Sequence, residues 1–206
     1  MRVAVGPRLG TPLCIPHQCP CGAQVDSVGT HGLSCKRSAA RIQRHNALND
    51  IIHRSLITAG VPSSKEPSGL IRSDGKRPDG VTQIPWSSGK CLAWDVTVVD
   101  NLASSYANLS SISAAKAAER AAENKVSKYA ALLHTHDFVP IAIETLGPFN
   151  SSALSFLYHL GKRLTTASGD PRETSFLFQR LSMTVQRFNC VAFHDTFAAG
   201  SVDLED

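Results

Sequence analysis

Two segments decide how this chain folds: Arg77-Pro78-Asp79-Gly80, and the apolar run Cys91-Leu92-Ala93-Trp94-Asp95-Val96-Thr97-Val98-Val99. The first has the residues of a turn that leads into a strand, and the second has those of a buried strand. Asp95 interrupts that apolar strand. A carboxylate buried in this way is costly unless a cation or a metal ion partners it. Asp95 is therefore the most informative residue of the chain.

Fifteen residues separate Asp79 from Asp95. If the two segments are neighbouring strands of an antiparallel meander, their carboxylates lie within a few ångströms of each other. Two close carboxylates repel, and a divalent cation relieves that repulsion. Oxygen ligands of this kind suit Mg²⁺ or Mn²⁺, which can activate water for attack on a phosphodiester.

Further elements follow from apolar spacing and from Gly/Pro turns. We expect strands over 65–72, 78–84, 91–99 and 138–144, a polar connection over 101–112, and helices over 36–60, 113–133, 151–166 and 173–187. The order of these elements predicts an α/β (α+β) fold with an antiparallel meander and two additional C-terminal helices.

The first 35 residues contain four of the six cysteines. Cys19, Cys21, His31 and Cys35 form the pattern Cys-x-Cys-x9-His-x3-Cys, and three thiolates with one imidazole complete a tetrahedral zinc site. The gap between the first two cysteines is short, so Cys14 or His17 could replace one ligand. Four protein ligands leave no open position for chemistry, which predicts a structural site. Free cysteines in a loop are the alternative.

The net charge of +4 is unevenly distributed. Residues 1–60 contain seven Lys or Arg and two acidic residues, whereas 61–206 contain fourteen and fifteen. The excess includes Lys36, Arg37, Arg41, Arg44 and Arg54, and such a face either meets nucleic-acid phosphates or is a solvated helix face. No apolar run is long enough to span a bilayer, and the N-terminal residues do not form a signal peptide. We therefore expect an intracellular protein without a membrane partner.

The motifs together resemble the PD-(D/E)XK nuclease superfamily. Pro78-Asp79 matches its first motif, and Asp95 matches the acid of its second, although Thr97 stands where that motif has lysine. The restriction-like endonucleases of site-specific non-LTR retrotransposons depart in the same way and use a Lys-x-x-Lys-Tyr pattern on the next helix. Lys125-Val126-Ser127-Lys128-Tyr129 matches that pattern, and a Cys/His knuckle followed by Arg44-His45-Asn46 precedes it, as in those enzymes. The resemblance covers about residues 14–145.

The resemblance implies an αβββαβ restriction-endonuclease-like core with a central mixed sheet. The corresponding segments are a zinc knuckle over 1–36, a nuclease domain with C-terminal helices over 37–200, and an acidic tail over 201–206. It also implies a nuclear protein that acts on DNA, or alternatively RNA, and whose parent element contains a reverse transcriptase domain.

The resemblance also implies roles for individual residues. Asp79 and Asp95 would bind Mg²⁺ or Mn²⁺, and Lys128 or Lys125 would orient the attacking water or neutralise developing charge. Glu66 would be an additional acid, with a surface salt bridge as its alternative. We expect His45 on the helix surface or beside the zinc, outside the catalytic set. The expected nucleic-acid contacts are Lys36, Arg37, Arg41, Arg44, Arg77 and Tyr129.

Three functions therefore compete on the sequence. The first is a metal-dependent endonuclease that nicks DNA. The second is a zinc-containing nucleic-acid-binding module, a retroelement remnant that has lost activity. The third is an interaction protein in which the two aspartates only satisfy turns and strand ends, and it requires that Asp79, Asp95 and Lys128 do not converge.

Overall fold

A computed structural model of the chain describes residues 2–70 and 75–198. Its helices are α1 (Arg2–Leu9), α2 (Ala40–Thr58), α3 (Ser104–Ile112), α4 (Lys116–Lys128), α5 (Ser151–Ser168) and α6 (Glu173–His194). Its strands are β1 (His17–Gln18), β2 (Gln24–Val25), β3 (Ser63–Lys65), β4 (Gly80–Ser87), β5 (Lys90–Val99) and β6 (His136–Glu144). Single 3₁₀ turns occupy Thr30–Leu33, Ser68–Leu70 and Ala130–His134.

The central sheet has four strands in the order β3-β4-β5-β6. The first three strands pair antiparallel, which confirms the predicted meander, and β6 pairs parallel to β5. A parallel neighbour needs a long crossover connection, and α3 and α4 provide it. The fold is therefore mixed α/β with a four-stranded mixed sheet, and β1 and β2 form a separate antiparallel ribbon.

The two faces of β5 are covered differently. One face packs against α2, α5 and α6 in the main core, where Leu92, Trp94 and Val96 are buried. On the other face, Val99 packs with the alanines of α4. Side chains alternate across a strand, so Asp95 and Thr97 lie on the same face as Val99. The small alanines let α4 lie close to the sheet and bring its C-terminal half over Asp95.

Three expectations for secondary structure need correction. Residues 104–112 form α3, although their Ser/Asn-rich composition indicated a polar connection. The first strand ends at Lys65, because Glu66 has a positive φ of 48° and Pro67 follows it; the expected continuation over 71–72 lies outside the described residues. Helix α1 was not anticipated, because Gly6 and Pro7 within it indicate a loop.

The C-terminal helices are parts of the main core. Leu157 and Leu160 of α5, with Leu177 and Leu181 of α6, are buried against the sheet and α2. The expected acidic tail over 201–206 lies outside the described residues. None of the described helices combines the length and the apolarity that a membrane span requires.

Candidate active site and metal centre

Asp79 directly precedes β4, and Asp95 lies on the neighbouring strand β5. Gly80 pairs with Trp94 in the antiparallel register of β4 and β5, and the backbone N–H of Asp79 donates to the Trp94 carbonyl at 2.9 Å. Asp79 therefore lies next to the Trp94–Val96 segment of β5, and the charges of both Asp79 and Asp95 act on His45. The sheet therefore brings together the two predicted carboxylates.

The Asp79 carboxylate is held at both oxygens. Its Oδ2 accepts a 2.6 Å hydrogen bond from the backbone N–H of Val96. Its Oδ1 lies 3.2 Å from Nε2 of His45, a residue of α2. These contacts fix the direction in which the carboxylate points.

Asp95 has a cationic partner. Its side chain is 4% exposed, and Nζ of Lys125 donates to its Oδ1 at 2.5 Å. Within the described residues, no hydrogen bond to Oδ2 of Asp95 is formed. Lys125 compensates the buried charge that the sequence identified as costly, and Oδ2 remains the oxygen that could meet a cation.

The position of Lys125 depends on Glu144, which ends β6. Helix α4 lacks a capping side chain at its own N-cap residue, Ala115. Instead, Oε1 of Glu144 accepts hydrogen bonds from the backbone N–H groups of Ala117 and Ala118 at 3.0 and 3.2 Å. A carboxylate at a helix N-terminus satisfies unpaired donors and stabilises the helix dipole. Glu144 therefore anchors the helix that delivers Lys125.

Lys128 occupies a different environment. Its Nζ lies 2.9 Å from the hydroxyl of Tyr129, which donates to the carbonyl of Arg77 at 2.7 Å. Tyr129 is 1% exposed and its ring packs against Phe138. This burial corrects the expectation that Tyr129 contacts nucleic acid, since a ring without exposed surface cannot stack on a base. Of the two candidate lysines, Lys125 is the one in contact with a carboxylate of the pair.

His45 joins the carboxylates, although we expected it outside the catalytic set. The hydrogen bond to Asp79 raises the pKa of His45, burial opposes that shift, and the charges of Asp79 and Asp95 add to it. Lys125 acts in the opposite direction. An imidazole that responds to all three charges belongs to their cluster. Local pattern carried no signal for this contact, because it depends on how α2 is rotated against the sheet.

Asn49 is a second residue that the sequence did not identify. It is buried, and its Oδ1 accepts a 2.8 Å hydrogen bond from the indole N–H of Trp94. Its amide also donates to the carbonyl of Asp79 at 3.4 Å. Asn49 thus holds α2 in register with the β4–β5 pair and keeps His45 at the carboxylates.

Glu66 and Arg77 form an ion pair with each other near this site. The Glu66 side chain is 64% exposed, and its backbone N–H donates to the Asp79 carbonyl at 2.9 Å. Its carboxylate is thus engaged by Arg77. The placement favours the surface salt bridge over the role of an additional metal-binding acid.

The Cys/His residues of the N-terminal segment converge as predicted. The ligand atoms of Cys19, Cys21, His31 and Cys35 all lie within 4.8 Å of one another. The Sγ atoms of Cys19 and Cys35 are 3.8 Å apart, and Sγ of Cys21 is 3.2 Å from Nε2 of His31. This cluster could hold a metal ion.

The alternative ligands are engaged elsewhere. Sγ of Cys14 lies 3.4 Å from the carbonyl of Asp26, and burial raises the pKa of the Cys14 thiol. Nε2 of His17 contacts the Thr196 hydroxyl at 3.0 Å. The short Cys-x-Cys gap is therefore accommodated within the four-residue cluster.

Two of the thiols in this cluster differ in acidity. Burial raises the pKa of the Cys19 thiol to about 11. The backbone N–H of Ala23 lowers the pKa of the Cys21 thiol to about 7, with the neighbouring thiol of Cys19 contributing. A thiolate is the metal-binding form, so the Cys21 thiol reaches that form at a lower pH than the Cys19 thiol.

The basic residues that follow the Cys/His cluster, Lys36 and Arg37 before α2 and Arg41 and Arg44 within it, divide by exposure. Lys36, Arg37 and Arg41 are exposed, and Arg37 donates to the Pro20 carbonyl. Arg44 is 3% exposed, and its Nη1 donates to Oδ1 of Asn189 on α6 at 2.5 Å. Burial lowers the pKa of Arg44 to about 10; the charge of Arg41 adds to this shift and that of Asp100 opposes it. Contacts of these four residues with nucleic acid stay predictions.

No family model matches this sequence, and no curated protein is significantly similar to it.

Proposed function

We propose that this protein is a metal-dependent DNA endonuclease of the PD-(D/E)XK type, related to the restriction-like endonucleases of non-LTR retrotransposons. The supporting observation is the contact of Lys125 with Asp95, a residue of the strand whose Val96 N–H binds the Asp79 carboxylate. The second motif of the superfamily has a lysine at the position of Thr97. In this chain Lys125 of the following helix would supply that amine. A meander followed by a helix and a parallel strand is also the order that the αβββαβ core requires.

In this proposal, Asp79 and Asp95 hold Mg²⁺ or Mn²⁺. An ion held by these two carboxylates would supply a more acidic water and positive charge for phosphodiester hydrolysis. The Val96 N–H orients the Asp79 carboxylate for this task. Lys125 donates hydrogen bonds from a side chain that is 24% exposed, so it can reach either the attacking water or the developing negative charge.

His45 regulates access to Asp79. Its Nε2 occupies Oδ1, which is one of the oxygens that a metal ion needs. A protonated His45 would also repel a cation at this carboxylate. Because Asp79 raises the pKa of His45, ion binding should become easier as the pH rises and the imidazole loses its proton.

The Cys/His cluster completes the proposal as a structural zinc site. Three thiolates and one imidazole suit a tetrahedral Zn²⁺ and leave no position open for substrate. The exposed Lys36 and Arg37 follow directly after Cys35, so the zinc segment would present basic residues to DNA. A nuclear location and a reverse transcriptase domain in the parent element belong to the same proposal.

Nicking of supercoiled plasmid tests this function. Purified protein should relax the plasmid with Mg²⁺ or Mn²⁺. Asp79→Asn and Asp95→Asn should each lower the rate by at least about 100-fold, because each removes a charged metal ligand. Asp170→Asn removes a half-buried carboxylate between α5 and α6 and serves as the control. Undiminished nicking by both site variants, with unchanged circular dichroism, would refute the proposal.

The two lysines can be separated in the same assay. Lys125→Met should abolish nicking, because it removes the amine beside Asp95. Lys128→Met should retain activity within about tenfold, since an amine near the Tyr129 hydroxyl makes at most an indirect contribution. The reverse order of effects would assign the catalytic role to Lys128.

A second function has its own support. Both oxygens of Asp79 and one of Asp95 are engaged by His45, Val96 and Lys125, so the carboxylates are compensated by protein groups alone. Such a cluster is compatible with a nucleic-acid-binding module that has lost activity. Salt-dependent DNA binding without cleavage in either Mg²⁺ or Mn²⁺ would favour that function.

A further inference from the structure

A cavity of about 370 Å³ lies beside the carboxylate cluster. Lys36, Arg41, Arg44 and His45 line it, together with Thr97 of β5. No carboxylate is among its lining residues, all of which belong to the described part of the chain. A concave surface with three cations and no acid attracts anions.

Arg44 is the strongest sign that this cavity takes a ligand. Its side chain is buried, and Nη1 reaches Asn189, but its buried Nε has no hydrogen-bond partner within the described residues. Leaving a buried charged donor unpaired is costly. Among the described residues, no carboxylate lies within 4.0 Å of the charged groups of Lys36, Arg41 or Arg44, so an anion could compensate them.

Acidic groups nearby do not neutralise the cavity. Asp195 accepts a 2.6 Å hydrogen bond from the Ser38 hydroxyl at the cavity wall, and Asp100 acts on Arg44 only at longer range. The positive charge of Arg41 also acts on Arg44. The two guanidinium groups therefore repel each other without a carboxylate between them. A phosphate would relieve this repulsion, because the planar donors of arginine match phosphate oxygens.

We propose that this cavity is a phosphate-binding subsite that takes a backbone phosphate of DNA next to the cleavage position. The statement that this subsite lies next to the cleavage position rests on the proposed function, whereas its affinity for phosphate does not. His45 links the two sites, since it lines the cavity and contacts Oδ1 of Asp79. Thr97 lines the cavity on the same face of β5 as Asp95. Because its side chain is short, it leaves the cavity open.

The test measures DNA binding without cleavage, in buffer free of divalent cations and of chelators. Arg41→Gln removes an exposed charge from the cavity, and Arg54→Gln removes an exposed charge from the same helix outside it. Arg41→Gln should weaken binding of a short duplex about fivefold and lower the slope of log K against log salt by about one. Arg54→Gln should change the affinity by less than about twofold.

The second measurement observes Arg44 directly. The ¹⁵N–¹H resonance of its Nε should shift as the duplex is added, and also with inorganic phosphate titrated against chloride at constant ionic strength. The duplex should displace inorganic phosphate. Phosphate that binds and is not displaced would mean a free phosphate compound as ligand and would overturn the assignment to DNA.

Equal effects of Arg41→Gln and Arg54→Gln, or an Arg44 Nε resonance unaffected by either ligand, would also overturn it. These outcomes are distinct from failure of the proposed function. If the protein nicks no plasmid but Arg41→Gln still weakens DNA binding more than Arg54→Gln does, the phosphate subsite stands. Only the proposed nuclease activity is then refuted.

Discussion

At the scale of single residues, the carboxylate pair is controlled by charge and desolvation. Asp95 is buried and compensated by Lys125, whereas Asp79 is compensated by a backbone N–H and by an imidazole. The imidazole is the group of this cluster whose charge changes near neutral pH. His45 therefore makes the cluster sensitive to pH near neutrality.

The pH dependence of stability tests this contact. Asp79 raises the pKa of His45 above its ordinary value of about 6.5. Protonated His45 then stabilises the fold, fully below pH 6.5, and the contribution is lost as the pH rises through the raised pKa. His45→Asn should remove this part of the pH dependence of Tm, measured without divalent cations.

His53 on the same helix provides a control of opposite sign. Burial lowers the pKa of His53, with the charge of Lys65 adding to the shift. Its neutral form is therefore favoured, and stability falls as the pH drops below about 6.5. His53→Asn should weaken that decline. If His45→Asn instead leaves the Tm profile above pH 6.5 unchanged, the His45–Asp79 contact does not exist in solution.

At the scale of elements, the start of β4 decides whether Asp79 faces Asp95. Gly80 lies against the indole of Trp94, and a Cβ at this position would overlap the ring. Trp94 in turn donates to Asn49 of α2. Trp94 therefore connects β4, β5 and α2 beside the carboxylates.

Gly80→Ala tests the importance of this junction. Overpacking should lower the free energy of unfolding by about 1–3 kcal/mol and should also reduce nicking at temperatures where the variant is folded. Gly161→Ala is the matched control, because its Cβ would lie 2.9 Å from Cα of Thr174 between α5 and α6, remote from the carboxylates. Denaturant unfolding and nicking measured on both variants separate loss of stability from loss of site geometry. Equal loss of nicking in both would contradict a specific role for this junction.

At the scale of the whole molecule, α6 connects the N-terminal segment to the core. Gly32, next to His31 of the Cys/His cluster, lies against the backbone of Phe193. Asn189 on the same helix holds Arg44, and its amide donates to the Thr145 carbonyl at 2.8 Å. Helix α6 therefore contacts the Cys/His segment, Arg44 of α2 and the end of the sheet.

Loss of the metal should consequently affect more than the N-terminal segment. Protein purified with zinc should contain about one ion per chain, and Cys21→Ser should lower this content to near zero and reduce Tm. Cys21 is exposed, so the substitution leaves no cavity. Binding of the metal contributes directly to folding free energy in such small segments.

Cys190→Ser is the control for this experiment, since Cys190 is a half-buried thiol outside the cluster. It should retain the metal, as measured by elemental analysis. Full zinc content in Cys21→Ser would exclude Cys21 as a ligand. An unchanged Tm after zinc loss would mean that the segment does not depend on the metal for its stability.

The sequence by itself determined the features that rest on local pattern. The apolar run around Asp95 indicated a buried strand, the Ala-rich segment indicated a helix close to the sheet, and the spacing from Cys19 to Cys35 indicated one cluster. Burial, helix propensity and ligand spacing act over short stretches of chain, so they can be inferred without coordinates.

Only the tertiary structure decided which groups meet. His45 faces Asp79, Lys125 rather than Lys128 contacts Asp95, and Tyr129 is buried. These outcomes depend on the rotation of α2 and α4 about their axes. That rotation is set by contacts between residues distant in sequence, such as Trp94 with Asn49 and Glu144 with the start of α4, and local pattern carries no information about them.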